Sequence, residues 1–330
     1  MRIYDVVIIG SGPAGYTAAL YLARARLTPL MFAGESGGGQ LMLTSEVENY
    51  PGFPKGILGP ELMGNMREQT EQFGVEVVDV SVSGVDFTKA PFRIWVGEGQ
   101  TRKDYQAKAV IIATGARARM LGIGEERLLG RGVSTCAVCD AAFFKDKVTV
   151  VVGGGDAAME EVLALQRHAR SVTLIHRRDT LRASKIMQQR VLEEHKEKVS
   201  VLWNSQVVEA KGKEKLEEVV VEDVKTGKRR GLAVDGLFLA IGHTPETEVF
   251  KGNVELDAKG YLATRLTSPR NEASQKVWLE EYPTMTSVPG VFGAGDVVDF
   301  RYRQAVTAAG MGCMAALDVE KYLTGSFQSW

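Results

Sequence analysis

Four stretches of the chain are nearly unbroken apolar runs, rich in valine and isoleucine, and each delivers the backbone onto glycine. They are Val6-Val7-Ile8-Ile9 before Gly10, Ala109-Val110-Ile111-Ile112-Ala113 before Thr114-Gly115, Val148-Thr149-Val150-Val151-Val152 before Gly153, and Val291-Phe292 before Gly293. Such runs predict strands buried on both faces, as in a parallel sheet covered by helices. Helical patterns over Tyr16–Ala25, Met159–His168 and Gln304–Tyr322 supply the covering layer. Second strands, Pro29–Gly34 and Ser171–Ile175, follow the first two helices. The repeated order of strand, glycine turn, helix and strand predicts an α/β chain with two Rossmann-like units.

Composition narrows the partners. A chain of 330 residues suggests about two domains. Its 40 Lys plus Arg against 41 Asp plus Glu leave a net charge of −1, which gives no bulk field for nucleic acid or an anionic membrane. No apolar run reaches the roughly 18 residues of a membrane span. Val6–Ile9 is preceded by Asp5 and runs directly into a glycine motif, unlike a signal peptide, so the expected location is cytoplasmic. Three cysteines without a secretory signal cannot form a disulfide framework, and in a reducing compartment a C-x-x-C pair points to redox or metal chemistry.

The first glycine motif reads Gly10-Ser11-Gly12-Pro13-Ala14-Gly15. Gly10 permits a tight turn, Gly12 lets backbone approach a pyrophosphate, and Gly15 lets the helix pack on the strand, leaving the helix N-terminus to receive phosphate charge. The pattern recurs at Gly153-Gly154-Gly155-Asp156-Ala157-Ala158, so two dinucleotides are expected. The second strands end differently. Glu35 lies about 20 residues past Gly15, where an acid can bind a ribose 2′-hydroxyl, although a surface glutamate gives the same pattern. His176-Arg177-Arg178-Asp179, with Arg182 beyond, places cations where NADP carries its extra 2′-phosphate, which selects NADPH over NADH. Farther on, Gly293-Ala294-Gly295-Asp296 delivers a carboxylate to a strand end, where it can accept from a ribityl hydroxyl.

The order along the chain places one unit inside the other. The expected divisions are residues 1–117 with 247–330 for a discontinuous domain, and 118–246 for an inserted one. Candidate crossings are Arg117–Leu121 and His243-Thr244-Pro245-Glu246, the latter stopped by proline. Two crossings make a natural hinge.

The inserted domain carries Cys136-Ala137-Val138-Cys139. At a helix start, C-x-x-C brings two sulfurs close enough for a small disulfide loop, and the helix N-terminus favours a thiolate. A closed zinc site needs four ligands; Cys313 stands alone in an apolar helical pattern, and His168, His176, His195 and His243 show no ligand spacing with the pair. Asp140 follows the second cysteine. It suits a proton donor with a burial-raised pKa, and equally a residue that starts a helix.

Taken together, these residues resemble the low-molecular-weight thioredoxin reductases over essentially the whole chain. The resemblance rests on Gly10–Gly15, Gly38-Gly39-Gln40-Leu41, Glu48-Asn49-Tyr50-Pro51-Gly52-Phe53, Ala113-Thr114-Gly115-Ala116, Cys136–Asp140, Gly153–Asp156, His176–Asp179, Gly295-Asp296-Val297 and Tyr302-Arg303-Gln304-Ala305. It implies two Rossmann-like, three-layer ββα domains, with the NADPH domain inserted into the FAD domain. It further implies a homodimer that passes electrons from NADPH through FAD and the cysteine pair to thioredoxin while the inserted domain alternates between two orientations. By the same resemblance, FAD is held by Gly10, Gly12, Pro13, Ala14, Gly15, Glu35, Gly39, Gln40, Leu41, Asn49, Thr114, Gly115, Ala116, Gly295, Asp296, Arg303, Gln304 and Ala305. NADPH is held by Gly153, Gly155, Asp156, Ala157, Ala158, His176, Arg177, Arg178 and Arg182. Cys139 faces the flavin, Cys136 attacks thioredoxin, Asp140 moves the proton, and Arg131 with Phe143-Phe144 matches places that contact thioredoxin, although core packing explains the two phenylalanines equally well.

Three features depart from the family pattern: Ala141 stands where glycine is common, Arg265–Tyr282 is longer than usual, and the tail Gly325–Trp330 runs past the last helix. A glutaredoxin-like or peroxidase-associated acceptor, or a non-catalytic flavin redox sensor, fits the cofactor motifs as well.

Overall fold

The computed structural model describes residues 2–35, 37–44, 46–267 and 282–325. Most of the long segment Arg265–Tyr282 and of the C-terminal tail therefore lies outside the described residues. The chain divides into two compact units, Met1–Arg117 with Thr244–Trp330, and Ala118–His243. The segments that cross between them run side by side, Ala116–Ala118 pairing with His243–Pro245 as a two-stranded sheet.

The discontinuous unit is built on a seven-stranded sheet. Its parallel part runs Glu76–Val78, Pro29–Phe32, Ile3–Ile9, Lys103–Ile112 and Val291–Gly293. Lys103–Ile112 belongs to two layers at once. Its first half pairs antiparallel with Phe92–Val96, while Val110–Ile112 pair parallel with Val291–Gly293. The alternation within Ile3–Ile9 shows why the run is apolar throughout. Val6 and Ile8 pack against the helices Pro13–Arg24 and Ala305–Thr324, whereas Val7 and Ile9 pack against Phe92, Ile94 and Val85 of the antiparallel layer. Both faces are buried, as a strand between two layers requires.

The inserted unit repeats this plan. Five parallel strands run in the order Val133–Ser134, Gly236–Ala240, Val148–Gly153, Ser171–Ile175 and Val199–Leu202, beside an antiparallel sheet of Ser205–Lys211, Glu218–Asp223 and Arg229–Ala233. Val151, Leu174 and Phe238 face the helix Asp156–Leu165, while Val150, Val152 and Leu239 face the antiparallel layer.

The helices differ from their apolar patterns at the ends. The first runs Pro13–Arg24 and the second Asp156–Leu165, each starting directly on its glycine turn. Proline is already set for the first helical position, and small or acidic residues of a first turn add nothing to an apolar period.

Candidate active site

The three glycine-ended strands of the discontinuous unit finish side by side, Ile9 beside Ile112 and Ile112 beside Gly293. Here the strand order reverses, and a crevice forms at the carboxyl ends of the strands. The glycines are there for two different reasons. A Cβ on Gly10, whose φ is +112°, would sit 2.2 Å from the Ala113 carbonyl oxygen, and one on Gly15 would sit 2.0 Å from that of Gly10. These close contacts hold the helix onto the sheet. A Cβ on Gly12 or Gly115 would meet nothing within 4 Å, so these positions border open space. Gly12 caps the helix Pro13–Arg24 without any side-chain hydrogen bond. Open space at a helix N-terminus is what a dinucleotide phosphate needs.

Other predicted residues converge on this cradle. Ser11 Oγ donates to the Ala33 carbonyl at 2.7 Å and accepts from Gly38 N at 2.9 Å, pinning the loop that carries the exposed Glu35. A Cβ on Gly39 would lie 3.6 Å from Gly12 Cα, so Gly39-Gln40-Leu41 abuts the first motif. Asn49 Nδ2 donates to Gln304 Oε1 at 3.2 Å. A Cβ on Gly295 would meet Ala14 Cβ at 2.8 Å, which brings Asp296 beside the helix start. Arg303 adopts a left-handed φ of +49°, with its backbone N–H donating to the Asp299 carboxylate.

Burial pushes the Asp296 carboxyl up to about 7, with repulsion from Asp299 adding to the shift and Arg303 opposing it. An unfolded aspartate titrates near about 4, so between about pH 4 and about pH 7 the folded state binds more protons. This contribution to stability is fully present below the lower value and is lost as pH rises through the upper one. For protein stripped of nucleotide, Asp296→Asn is expected to flatten that limb of a curve of urea-unfolding free energy against pH. An unchanged slope would show that another group sets it.

In the inserted unit, Gly153 is required by packing, since its Cβ would fall 2.6 Å from Ala158 Cβ and 2.7 Å from the Ala240 carbonyl oxygen. Gly155 opens onto free space. The loop after Ser171–Ile175 is stitched to this turn: Arg182 N and Ala183 N donate to the Gly154 carbonyl at 2.8 and 3.1 Å, and Ser184 N donates to Asp156 Oδ1 at 2.7 Å. His176 does not reach outward as expected of a phosphate ligand. Its ring is buried, with Nδ1 2.7 Å from the Gly153 carbonyl oxygen and Nε2 3.0 Å from that of Thr180. A Cβ on Gly154 would strike that ring at 2.2 Å. His176 is the strut of the loop, and Arg177, Arg178 and Arg182 are its exposed cations, none ion-paired among the described residues.

Cys136 and Cys139 form a disulfide with Cα atoms 5.4 Å apart. Cys136 caps the helix Ala137–Asp140, and its Sγ accepts from Cys139 N at 3.3 Å. Asp140 ends this helix and stands at the N-cap of the turn Ala141–Phe144, where its side chain makes no capping hydrogen bond. Ser134 Oγ donates to Asp140 Oδ2 at 2.6 Å and accepts from Cys136 N at 3.0 Å, so one hydroxyl ties the carboxyl to the first cysteine. Burial raises the Asp140 pKa, with the Ser134 hydrogen bond opposing it. Ala141 has an ordinary helical φ of −56°, so glycine is not needed there.

One further side chain was not anticipated. Glu161 Oε2 accepts from Ala137 N at 2.6 Å. Phe144 is buried edge-on against Phe238, with ring centroids 4.9 Å apart, as core packing requires. Phe143 packs half-buried on the same core, while Arg131 is exposed. No group of three or more His, Cys, Asp or Glu that could hold a metal occurs among the described residues, where Cys313 is a half-buried free thiol.

Two dinucleotide cradles and a helix-start disulfide on one chain have a counterpart among known proteins. Residues 4–312 match the model of the family described as pyridine nucleotide-disulphide oxidoreductase. The chain belongs to this family. Within the pyridine nucleotide-disulphide oxidoreductases, it is 53% identical over 323 residues to a thioredoxin reductase of Streptomyces clavuligerus, covering 97% of this chain and 94% of that protein. A bifunctional thioredoxin reductase/thioredoxin of Mycobacterium leprae is 50% identical over 322 residues, covering 97% of this chain and 66% of that one. The solved thioredoxin reductase of Giardia duodenalis superposes with a TM-score of 0.85 at 40% identity, covering 98% of this chain and 100% of that one.

Proposed function

We propose that the chain is an NADPH-dependent thioredoxin-disulfide reductase, with FAD in the cradle of the discontinuous unit and NADPH in that of the inserted unit. The observation that carries this reading is the Cys136–Cys139 disulfide at a helix start, in the same unit as a glycine turn flanked by three exposed arginines. When bound, FAD supplies the two-electron relay between a nicotinamide and a disulfide.

Gly12, Gly39, Gly115 and the start of the helix Pro13–Arg24 would hold the FAD phosphates and ribose, and Asp296 would accept from the ribityl chain. Arg177, Arg178 and Arg182 would hold the NADPH 2′-phosphate. Two electrons and two protons convert the internal disulfide to two thiols, and Cys139 would be the sulfur facing the flavin when FAD is bound. Asp140 keeps its proton to higher pH than an ordinary aspartate, which suits it to protonate a departing thiolate. The Cys136 thiolate then attacks one sulfur of thioredoxin's disulfide and expels the other as a thiolate. Cys139 attacks Cys136 Sγ in the mixed disulfide, restores the internal disulfide and frees the second thioredoxin thiolate. Each released thiolate takes up a proton.

No helix among the described residues is long and apolar enough to cross a membrane. The reading places the enzyme in the reducing cytoplasm, as a homodimer that sedimentation should return at twice the chain mass.

Cofactor choice has its own test. Each charge-assisted phosphate contact contributes about 1.5–3 kcal/mol, so Arg177→Ala with Arg178→Ala is expected to raise KM for NADPH about 100-fold or more. KM for NADH should change little. Equal effects on both would remove the arginines from phosphate recognition. Acceptor choice is read by supplying oxidised thioredoxin and a glutaredoxin-like protein in parallel; rapid reduction of the second alone would overturn thioredoxin as the partner.

A further inference from the structure

A single hydroxyl joins the cysteine segment to the sheet behind it. Ser134 belongs to the strand Val133–Ser134, which pairs parallel with Gly236–Ala240, Ser134 lying opposite Phe238. Both strand residues are buried, so the Ser134 hydroxyl is carried by the sheet, whereas Asp140 stands at the far end of the helix Ala137–Asp140. Three groups lie within hydrogen-bond reach of Ser134 Oγ: Asp140 Oδ2 at 2.6 Å, Cys136 N at 3.0 Å and the Cys136 carbonyl oxygen at 3.4 Å. A hydroxyl has one hydrogen to donate and two lone pairs that accept. The Cys136 N–H can only donate, so it takes one lone pair. The hydrogen and the second lone pair remain for the Asp140 carboxyl and the Cys136 carbonyl.

Among the described residues Ser134 is the sole hydrogen-bond partner of the Asp140 side chain. Burial raises the Asp140 carboxyl and the Ser134 hydroxyl lowers it, with no charge of a neighbouring element adding to either. The strand Val133–Ser134 and the turn Ala141–Phe144 carry no ionisable side chain. On the helix Asp156–Leu165, Glu161 accepts from Ala137 N, Asp156 accepts from Ser184 N and Glu160 is exposed. Lys185 and Arg190 of the next helix, Lys185–Leu192, are exposed, as are Arg131 and Lys145 at the two ends of the cysteine segment. The group that can answer a change of charge on Asp140 is the Ser134 hydroxyl.

We propose that Ser134 is a positioning residue for proton transfer at the cysteine pair: its hydroxyl donates to the Asp140 carboxylate and, when that carboxylate takes up a proton, turns to the Cys136 carbonyl and accepts from the new Asp140 O–H. In the charged state Oγ accepts from Cys136 N and donates to Oδ2. In the neutral state it accepts from Cys136 N and from Oδ2–H and donates to the Cys136 carbonyl oxygen. The proton that Oδ2 gains comes from solvent and the one it gives up goes to a departing thiolate, so Ser134 ends each cycle unchanged. A partner that could only donate would favour the charged carboxylate alone. A hydroxyl holds the carboxyl in one place in both states, and a fixed position is what efficient proton transfer needs. This role rests on the reading of Asp140 as the acid that serves the dithiol.

Ser134→Ala removes the hydroxyl, and Ser134→Thr keeps it on a β-branched residue that suits a strand. Infrared difference spectra of the oxidised holoenzyme across a pH series follow the C=O stretch of protonated Asp140, assigned by its loss in Asp140→Asn. Losing a hydrogen bond to a charged group should raise the midpoint of this band in Ser134→Ala by about one pH unit or more, with Ser134→Thr at the parental midpoint. The band should also change frequency in Ser134→Ala, because the carboxyl O–H no longer has Oγ to donate to. Turnover with thioredoxin at the pH optimum is expected to fall about tenfold or more in Ser134→Ala and to return in Ser134→Thr. A parental midpoint or parental turnover in Ser134→Ala, a shifted midpoint with an unmoved band, or a Ser134→Thr that behaves like Ser134→Ala would each overturn the proposal. The infrared titration needs no acceptor protein, so failure of the parent to reduce thioredoxin would count against the proposed function and not against Ser134.

Discussion

Cys139→Ser is expected to lower thioredoxin turnover by at least about 1,000-fold, because no second thiol remains to resolve the mixed disulfide or to receive electrons. Cys136→Ser should lose as much, for want of the attacking sulfur. Neither substitution touches a cradle: Gly10, Gly15, Gly153 and the arginine loop make their close contacts elsewhere in the chain. Anaerobic NADPH should therefore still bleach the flavin in both variants. The two cysteines also separate chemically. If Cys136 is the outward nucleophile, Cys139→Ser should trap a covalent adduct with a thioredoxin carrying a single cysteine, and Cys136→Ser should not. Turnover within tenfold of the parent in either variant would remove the dithiol from the pathway.

The second large effect falls on the fold at the FAD cradle. Gly15→Ala places a methyl group 2.0 Å from the Gly10 carbonyl oxygen, which is backbone of the strand-to-helix turn and has nowhere to move. The helix must lift from the sheet there, at a cost of about 3–5 kcal/mol, a large share of the stability of an ordinary domain. Gly312→Ala strikes the same helix from the other side, with its Cβ 2.1 Å from the Ala14 carbonyl oxygen. Both variants are expected to purify with little flavin and to melt well below the parent. Gly64→Ala is the internal control. It lies in the helix Gly59–Gln72 with nothing within 4 Å of its Cβ position, and alanine there should add about 0.5–1 kcal/mol. Thermal melts and the flavin-to-protein absorbance ratio report all three. A Gly15→Ala protein with full flavin and parental stability would contradict the packing account.

The parts of this structure that the sequence displayed are those fixed by backbone. Gly10 and Gly153 are glycines because carbonyl groups of neighbouring strands pass within 3 Å of where a Cβ would be, and a steric demand of that kind leaves no other residue type. The apolar runs were legible because both faces of their strands are covered, by helices on one side and an antiparallel layer on the other. Side-chain direction was far less visible. His176 sits among arginines yet turns inward to two carbonyl groups. Phe144 lies in a short turn beside the cysteines and is drawn into the core because Gly236 leaves room: a Cβ there would come within 2.6 Å of its ring. Glu161 carries no local signal at all, since its partner is a backbone N–H 24 residues away and an exposed glutamate fits the same helical period. Ser134 could have been found, as it stands six residues before Asp140 and shares a hydrogen bond with it.

The most direct measurement is an anaerobic titration of the purified protein with NADPH and separately with NADH, followed by oxidised thioredoxin. The account predicts that NADPH bleaches the flavin at far lower concentration than NADH, and that oxidised thioredoxin restores the oxidised spectrum. Equal bleaching by NADH, or a flavin that stays reduced when thioredoxin is added, would contradict it.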